Sequence, residues 1–426
     1  MTRHNPIEGQ SSMDARIRSH DDYTVGWICA LPVETAAAKL MLDEVHPPLP
    51  HLPMDQNAYI FGNIGEHNIV IASLPVGAYG NTSAATVGMQ LLSSFHAIRF
   101  GFMVGIGGGV PSSNTDIRLG DIVVSQPTDT AGGVIQYDLG KTLSGGQFKR
   151  IGMLNRPPKI LLTALATLQA NHLVENSRIV EFVSNLQANI APHKAAKFTR
   201  PTQEDYLFQA EYNHIASNTC LDCDRSKLIP RTPREHQEPI IHYGLIGSAN
   251  QVVKDGMQRD KLARDLGIYC VEMEAAGLMN DFPCLVIRGI CDYADSHKTK
   301  EWQGYAAAVA AAYTRELLLV VPIDYTNSTP VTRGALADSG KKMPIVSLNK
   351  TNHLLNNLYS SPLRRSVRPD ECASDRKFRG TARRVRPTLA VSRAYRFPVT
   401  KGCNYSWAWW DGKDTISNTV RTRPQR

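Results

Sequence analysis

Cysteine is scarce in this chain. Eight residues in 426 (Cys29, Cys220, Cys223, Cys270, Cys284, Cys291, Cys372 and Cys403) are too few for a disulfide-stapled secreted scaffold, and they fit a reducing compartment. An apolar leader is missing as well. Residues 1–22 are polar, with Arg3, Asp14, Arg16 and Arg18, and lack the hydrophobic stretch of a signal peptide. Long hydrophobic runs are also absent: the most membrane-like stretch, residues 306–323, is interrupted by Arg315 and Glu316 and reads as a core helix. A cytoplasmic location without a transmembrane segment is therefore expected. No internal repeat of solenoid length is visible.

The main body of the chain lacks excess positive charge. The whole chain is formally +8, but residues 324–426 hold 20 Lys+Arg against 7 Asp+Glu, which leaves 27 against 32 in residues 1–323. A mildly acidic body argues against a nucleic-acid-binding core. The tail loses hydrophobic periodicity and is expected to be disordered. Its Arg-rich run from Arg364 to Arg396 suits RNA or an anionic membrane surface, and equally an unselected extension without a partner.

What is present between these ends is regular. YTVGWICAL reads as a strand closed by Pro32 at the start of a helix, and NAYIFGNIGEHNIVIASLP as a hairpin around Gly65-Glu66. A helix follows with Asn81 or Thr82 as its cap, then a buried strand, FGFMVGIGGGV, ending in glycines. Further strands are expected at DIVVSQP, IIHYGLIGS and PCLVIRGI. Helices are expected at PPKILLTALATLQAN, around KDGMQRDKLARDLG, at EMEAAGLMND, and from about Trp302 to Leu319. This alternation indicates one α/β domain, a mixed sheet covered on both faces in a three-layer α/β/α arrangement. The expected organisation is a disordered segment 1–22, the domain at 23–323 with a Pro-rich polar insertion at about 188–239, and the basic tail 324–426. A second interruption, 127–156, reads as a long loop.

Several signals look chemical, and each has a bland reading beside it. GIGGGV at Gly105–Val110 lacks the last glycine of a dinucleotide fingerprint, and Gly140-Lys141-Thr142 lacks the first glycine of a Walker A loop. Lys141, Lys149 and Arg150 suit phosphate or simply a solvated basic loop. Cys220-x-x-Cys223 has a zinc-knuckle spacing, with His214 and His236 nearby, but no second CxxC completes a tetrahedral site. Neither a metal nor a cofactor is expected. Glu34 taken alone complements a helix dipole, Asp292 caps a turn after a strand, and Glu272 and Glu274 sit on a helix face.

Together, ALPVE (Ala30–Glu34), VGIGGGV, VEMEAAG (Val271–Gly277) and RGICDYAD (Arg288–Asp295) carry a resemblance. In order and spacing, residues from about Tyr23 to Val321 resemble the purine nucleoside phosphorylase and nucleosidase superfamily, which includes methylthioadenosine/S-adenosylhomocysteine nucleosidase. Within it, the chain looks most like the fungal version found at the front of NLR-like receptors. The resemblance implies a nucleoside phosphorylase-like fold, a purine nucleoside or nucleotide as substrate, cleavage of its N-glycosidic bond, and a homo-oligomer. It implies that Asp292 acts as general acid toward the purine N7, in a partly apolar surround, and that Glu274 accepts the ribose hydroxyls. It places Met273 against the sugar, Gly107 and Gly108 on the floor near the anomeric carbon, Glu272 among the binding residues, and Glu34 and Arg288 at the catalytic water.

Departures from the family pattern bear on the nucleophile and the base. The position aligned to a phosphate-binding arginine of bacterial phosphorylases is Met103, which cannot pair with a dianion, so hydrolysis is preferred to phosphorolysis. Arg99 remains nearby as a candidate anion partner. The turn that usually precedes a base-stacking aromatic reads Ser248-Ala249-Asn250, followed by Gln251, Val252 and Val253. The loop with Gln136, Tyr137, Asp138 and Lys141 is expected to reach the 5′ end of the substrate, with Lys141 and Arg150 as phosphate contacts. The alternatives are a phosphate-dependent phosphorylase and a catalytically silent ligand-binding or oligomerisation module.

Overall fold

A computed structural model describes residues 18–215 and 219–323, together with a two-residue antiparallel pairing of Ala408–Trp409 with Ser417–Asn418. The expected disorder of residues 1–17 and of most of the tail, and the tail's suggested partners, lie outside the described residues.

The domain opens earlier than residue 23. His20–Asp22 form a 3-10 turn whose His20 ring packs on Phe95, with ring centres 5.0 Å apart. Strand β1 (Val25–Cys29) follows, buried along its whole length as a strand covered on both faces must be. Helix α1 (Pro32–Leu40) begins with proline at its first turn, where the missing N–H costs nothing. Strands β2 (Glu44–His46), β3 (Tyr59–Ile64) and β4 (His67–Ser73) form an antiparallel meander, with Gly65 at φ +56 in the β3–β4 turn. Helix α2 (Asn81–Ser94) has Gly80, not Asn81 or Thr82, at its cap position. Its Asn81 N–H is accepted by Asn250 Oδ1 from across the fold at 2.9 Å.

Strand β5 (Phe100–Gly109) and strand β6 (Ile122–Ser125) lead into the 127–156 interruption. That segment holds β7 (Val134–Gln136) and a small hairpin, β8 (Gly140–Thr142) with β9 (Phe148–Arg150). Helices α3 (Lys159–His172), α4 (Ile179–Ala188) and the short α5 (Pro192–Ala195) come next, then β10 (Ile241–Ser248), α6 (Gly256–Leu266), β11 (Ile268–Glu272), β12 (Cys284–Asp292) and α7 (Gln303–Leu318).

The sheet runs β11-β10-β6-β12-β5-β1-β4-β3-β2, with β7 beside β10. It is mixed: β1, β4, β5 and β12 run parallel, whereas β12 and β6 are antiparallel. Strand β11 also pairs antiparallel with the glycine end of β5, so β5, β12, β6, β10 and β11 close into a ring. One face is covered by α1, α3, α4 and α7, the other by α2 with Leu278, Met279 and Phe282. The Ala-rich α7 is buried over nearly all of its 16 residues, as a central core helix. No helix among the described residues is long and apolar enough to cross a membrane.

Two expected elements differ. EMEAAGLMND does not form a helix; strand β11 precedes it and only Ala275–Gly277 make a 3-10 turn. The Glu272 carboxylate takes the N–H groups of Glu274 and Ala275, which bends the chain at once, and Gly277 lies against the Asn81 backbone where a side chain has no room. The 188–239 segment has little regular structure but is firmly anchored. Asp121 at the start of β6 accepts both Arg234 Nη atoms (2.6 and 2.7 Å) and His242 Nε2 at 2.9 Å.

Candidate active site

The carboxyl ends of β1, β5, β11 and β12 meet at a cavity of about 330 Å³, a size suited to a small ligand. Glu34 reaches it from the first turn of α1. Its Oε2 accepts the N–H groups of Ala30 (2.7 Å) and Leu31 (2.8 Å), the second of these the reach-back bond of a capping box, and its Oε1 accepts Ile106 N–H at 2.8 Å. Thus Glu34 is no solvated dipole-complementing carboxylate: it is buried and ties β1 and α1 to the glycine end of β5. Burial raises its pKa, against the opposing pull of Arg288 and of the backbone donors.

Arg288, fully buried on β12, lies beneath the cavity. Its guanidinium pairs with Glu272, stands 3.6 Å from Glu274 Oε2 and lies beside Glu34. Only glycine at 105 permits this, because a Cβ there would sit 2.6 Å from Glu34 Cδ and 2.5 Å from Arg288 Nη1. The glycines that β5 accumulates therefore make room for a charge cluster as well as for a ligand. Glu272 serves mainly as an anchor, holding Arg288 and the turn that presents Met273 and Glu274. Glu274 accepts Gly80 N–H at 3.3 Å. Burial pushes its pKa up to about 7; Arg288 pulls the other way and Glu272 adds to the rise.

Asp292 ends β12. Its Oδ1 accepts Ala294 N–H at 2.9 Å and Lys298 Nζ at 3.1 Å, and the Cys291 thiol lies 3.2 Å from Oδ2. Ala294 adopts a left-handed backbone (φ +52), a strained conformation of the kind that gathers at functional sites. On one side Asp292 meets the Lys298 ammonium, a charged neighbour within the partly apolar surround that the resemblance implies.

Of the residues singled out in the sequence, Glu34, Gly107, Gly108, Val252, Val253, Glu272, Met273, Glu274 and Asp292 line this cavity, with Arg288 under it. Val252 is exposed at the mouth, whereas Val253 is buried in an apolar cluster. Lys141 and Arg150 are not brought here. They lie on the β8–β9 hairpin, where Lys141 faces Lys149 in register and Arg150 borders a different cavity with Asn280. Nor does the preceding loop reach in: Asp138 accepts Gln136 Nε2 and Asn250 N–H, so it props the 248–250 turn. Met103 is buried in the core, and Arg99 precedes the opposite end of β5, roughly 30 Å along the strand from Gly108 at about 3.3 Å per residue. Neither position lines the cavity.

The cavity also holds residues that sequence reasoning missed: Tyr79, Lys254, Lys298 and Lys300. The last two were within reach, since HKTK follows DYADS directly behind the candidate acid. Tyr79 and Lys254 come from separate loops and had no local signal.

Residues 24–319 match the phosphorylase superfamily. Over 302 residues the chain is 48% identical to a nucleotide-binding leucine-rich repeat (NLR)-like protein of Hyaloscypha variabilis, covering 71% of this chain but 30% of that protein. It is 24% identical over 308 residues to a 5′-methylthioadenosine/S-adenosylhomocysteine nucleosidase of Mycobacterium bovis, covering 70% of this chain and 97% of the nucleosidase. It is likewise 24% identical over 301 residues to the ATP nucleosidase Cap17 of Escherichia coli, covering 68% of this chain and 50% of Cap17. The chain thus spans less than a third of the NLR-like relative and half of Cap17.

Proposed function

This chain belongs to the phosphorylase superfamily, and within it we propose that the chain hydrolyses the N-glycosidic bond of a purine nucleoside or nucleotide, releasing the free base. The observation that carries the reading is the placement of Glu34, Glu274 and Asp292 around one cavity, each on a different element and each held by backbone donors. Cleavage through an oxocarbenium-like transition state needs a base for water, an acceptor for the sugar hydroxyls and an acid for the leaving group. Glu34, beside Arg288, is suited to orient and deprotonate water. Glu274, once ionised, accepts the ribose hydroxyls and places negative charge under the developing cation. Asp292 faces the leaving purine and delivers the proton to N7, with Lys298 as a second proton-bearing group at its Oδ1. Met273 and the Gly107–Gly108 backbone pack against the sugar.

The lysines at the cavity bear on the 5′ group. With Lys298 held by Asp292, Lys254 and Lys300 remain exposed at the cavity and suit phosphates at the 5′ end better than an alkylthio group. Similarity to an ATP nucleosidase supports the same choice. A nucleotide-depleting role in defence is the biological setting that fits a relative of NLR-like type, and Tyr79 offers the base an aromatic face in place of the one missing after Asn250. The test is chromatographic. The full chain is incubated with ATP, adenosine and methylthioadenosine, with and without inorganic phosphate, and free adenine is measured. Base released from ATP without phosphate is the expected result; strict phosphate dependence with ribose 1-phosphate formed would overturn hydrolysis, and no base from any substrate would favour the silent binding module.

A further inference from the structure

The sequence left Cys220-x-x-Cys223 as half of a metal knuckle. Folding supplies what the spacing lacked. His214 comes to the pair, and the ligand atoms of His214, Cys220 and Cys223 all lie within 4.8 Å of one another. Around a tetrahedral ion with metal–sulfur bonds of ~2.3 Å, neighbouring ligand atoms stand about 3.7 Å apart, so side-chain adjustments of about an ångström close the set. Both cysteines are free and buried, set on a 3-10 turn against Phe208, Tyr206, Tyr212 and Leu228. His214 is held by its own N–H to Ser296 Oγ (2.9 Å) and by Nε2 at 3.2 Å from the Thr219 carbonyl. Neither His236, the other histidine near this pair in sequence, nor His297 belongs to this group of three.

A second observation is independent of these three residues. His297 is 9% exposed, and neither of its ring nitrogens has a hydrogen-bond partner. A buried imidazole of this kind carries an uncompensated desolvation cost unless something binds it. Its ring meets the His214 ring nearly edge-on, with centres 5.4 Å apart, and its carbonyl oxygen lies 3.9 Å from Cys220 Sγ. Two imidazoles sharing one tetrahedral ion place their ring centres about 5 Å apart, from metal–nitrogen bonds of ~2.0–2.1 Å. Asp295 Oδ1, 3.7 Å from His297 Nδ1, stands as the outer carboxylate that commonly orients a metal-bound histidine.

The geometry points to a structural zinc site formed by His214, Cys220 and Cys223, with His297, whose ring stacks on Phe208 at 4.1 Å between centres, turning in as the fourth ligand. Two thiolates and two imidazoles match the donor preference of Zn²⁺, and four protein ligands leave no open position for chemistry. Binding releases the two thiol protons to solvent and changes no oxidation state. The ligands come from the 188–239 segment and from the loop after β12, separated by 77 residues between Cys220 and His297. The ion therefore staples the irregular segment to the turn whose next residue, Lys298, meets Asp292. The site is distinct from the cavity and does not depend on which reaction the cavity performs.

The full chain, purified under reducing conditions and loaded with one equivalent of Zn²⁺ before desalting, is expected to retain about one zinc per chain by elemental analysis. Cys220→Ser/Cys223→Ser is expected to retain none. Equal zinc in the two proteins, or none in the wild type, overturns the site. Because the double variant can fail to fold, the wild type is also titrated with Co²⁺. Thiolate charge-transfer absorption together with intense visible d–d bands is the expected signature of a tetrahedral site, and a pale octahedral spectrum overturns it. His297→Ala is expected to weaken and shift those d–d bands; an unchanged spectrum removes His297 from the ligand set.

Discussion

The polar cluster beneath the cavity and the one around Cys220 differ in how far their own partners satisfy them. Beneath the cavity, Glu34, Glu272 and Glu274 share Arg288 and several backbone N–H groups, so the carboxylates arrive with donors in place. In the 188–239 segment, two thiols and the His214 imidazole converge, and the His297 ring beside them, from the loop after β12, makes no hydrogen bond. The first cluster is set before substrate arrives, as electrostatic preorganisation requires. The second offers donor atoms suited to a cation. A buried polar group already paired within the chain is fixed before any ligand arrives, while an unpaired imidazole beside two thiols has donor atoms left for one.

The largest effect expected of the first cluster is on catalysis. On the proposed mechanism, Asp292→Asn takes away the general acid while preserving shape, and kcat for base release should fall about 100- to 10,000-fold with little change in thermal midpoint. A fall of less than tenfold would take Asp292 out of the acid role. Arg288→Met tests the preorganisation itself. It leaves Glu272 buried without its counter-ion, so stability in urea should drop by about 3–5 kcal/mol, and adding Glu272→Gln should recover part of the loss. No recovery would mean that the guanidinium serves packing alone.

Acid–base behaviour sharpens the comparison further. Glu274, pushed up to about 7 chiefly by burial, holds its proton in the folded state at pH values where the unfolded chain has lost it. The folded state then binds more protons between the ordinary glutamate value and about 7. Stability accordingly falls as pH rises through that window, by at most about 1.4 kcal/mol per unit. Activity should move the opposite way, because only the carboxylate accepts ribose hydroxyls, so kcat/KM should climb with an apparent pKa near 7 that belongs to the coupled cluster. Urea midpoints and rates measured from pH 5 to 8 check both slopes. Glu274→Gln should flatten each, and a slope that survives in either measurement assigns it to another group.

How much of this could be read from the residues depends on how local the physics is. The β5 strand with its glycine end, Asp292 at the end of an apolar strand, and the hairpin around Gly65 were legible, because period, turn chemistry and burial act over a few residues. Strand β11 was not, since IYCVE shares its last residues with the motif that follows, and the Glu272 carboxylate, not helix propensity, decides the backbone there. Helix α4 passed unnoticed although Ile179, Phe182, Val183 and Leu186 make its buried stripe, because no Ser, Thr, Asp or Asn stands at its cap, Arg178. The resemblance joined Glu34 to Arg288, but the convergence of Glu272 and Glu274 on the same guanidinium was not legible. The same holds for His214 and His297, which only tertiary packing brings together.

The smallest expected effect concerns which basic residues serve the cavity. The hairpin lysine that suggested phosphate contact lies away from it, whereas Lys254 and Lys300 are exposed residues that line it. An exposed ammonium facing a phosphate is worth about 1 kcal/mol, so Lys254→Ala or Lys300→Ala should raise KM for ATP about fivefold while leaving KM for adenosine within error. Added salt should shrink that difference, as screening acts on exposed charges first. Lys141→Glu should alter neither substrate. If Lys141→Glu weakened ATP cleavage alone, the hairpin would have to fold over the cavity during turnover, and the division between a basic mouth and a remote basic loop would fail.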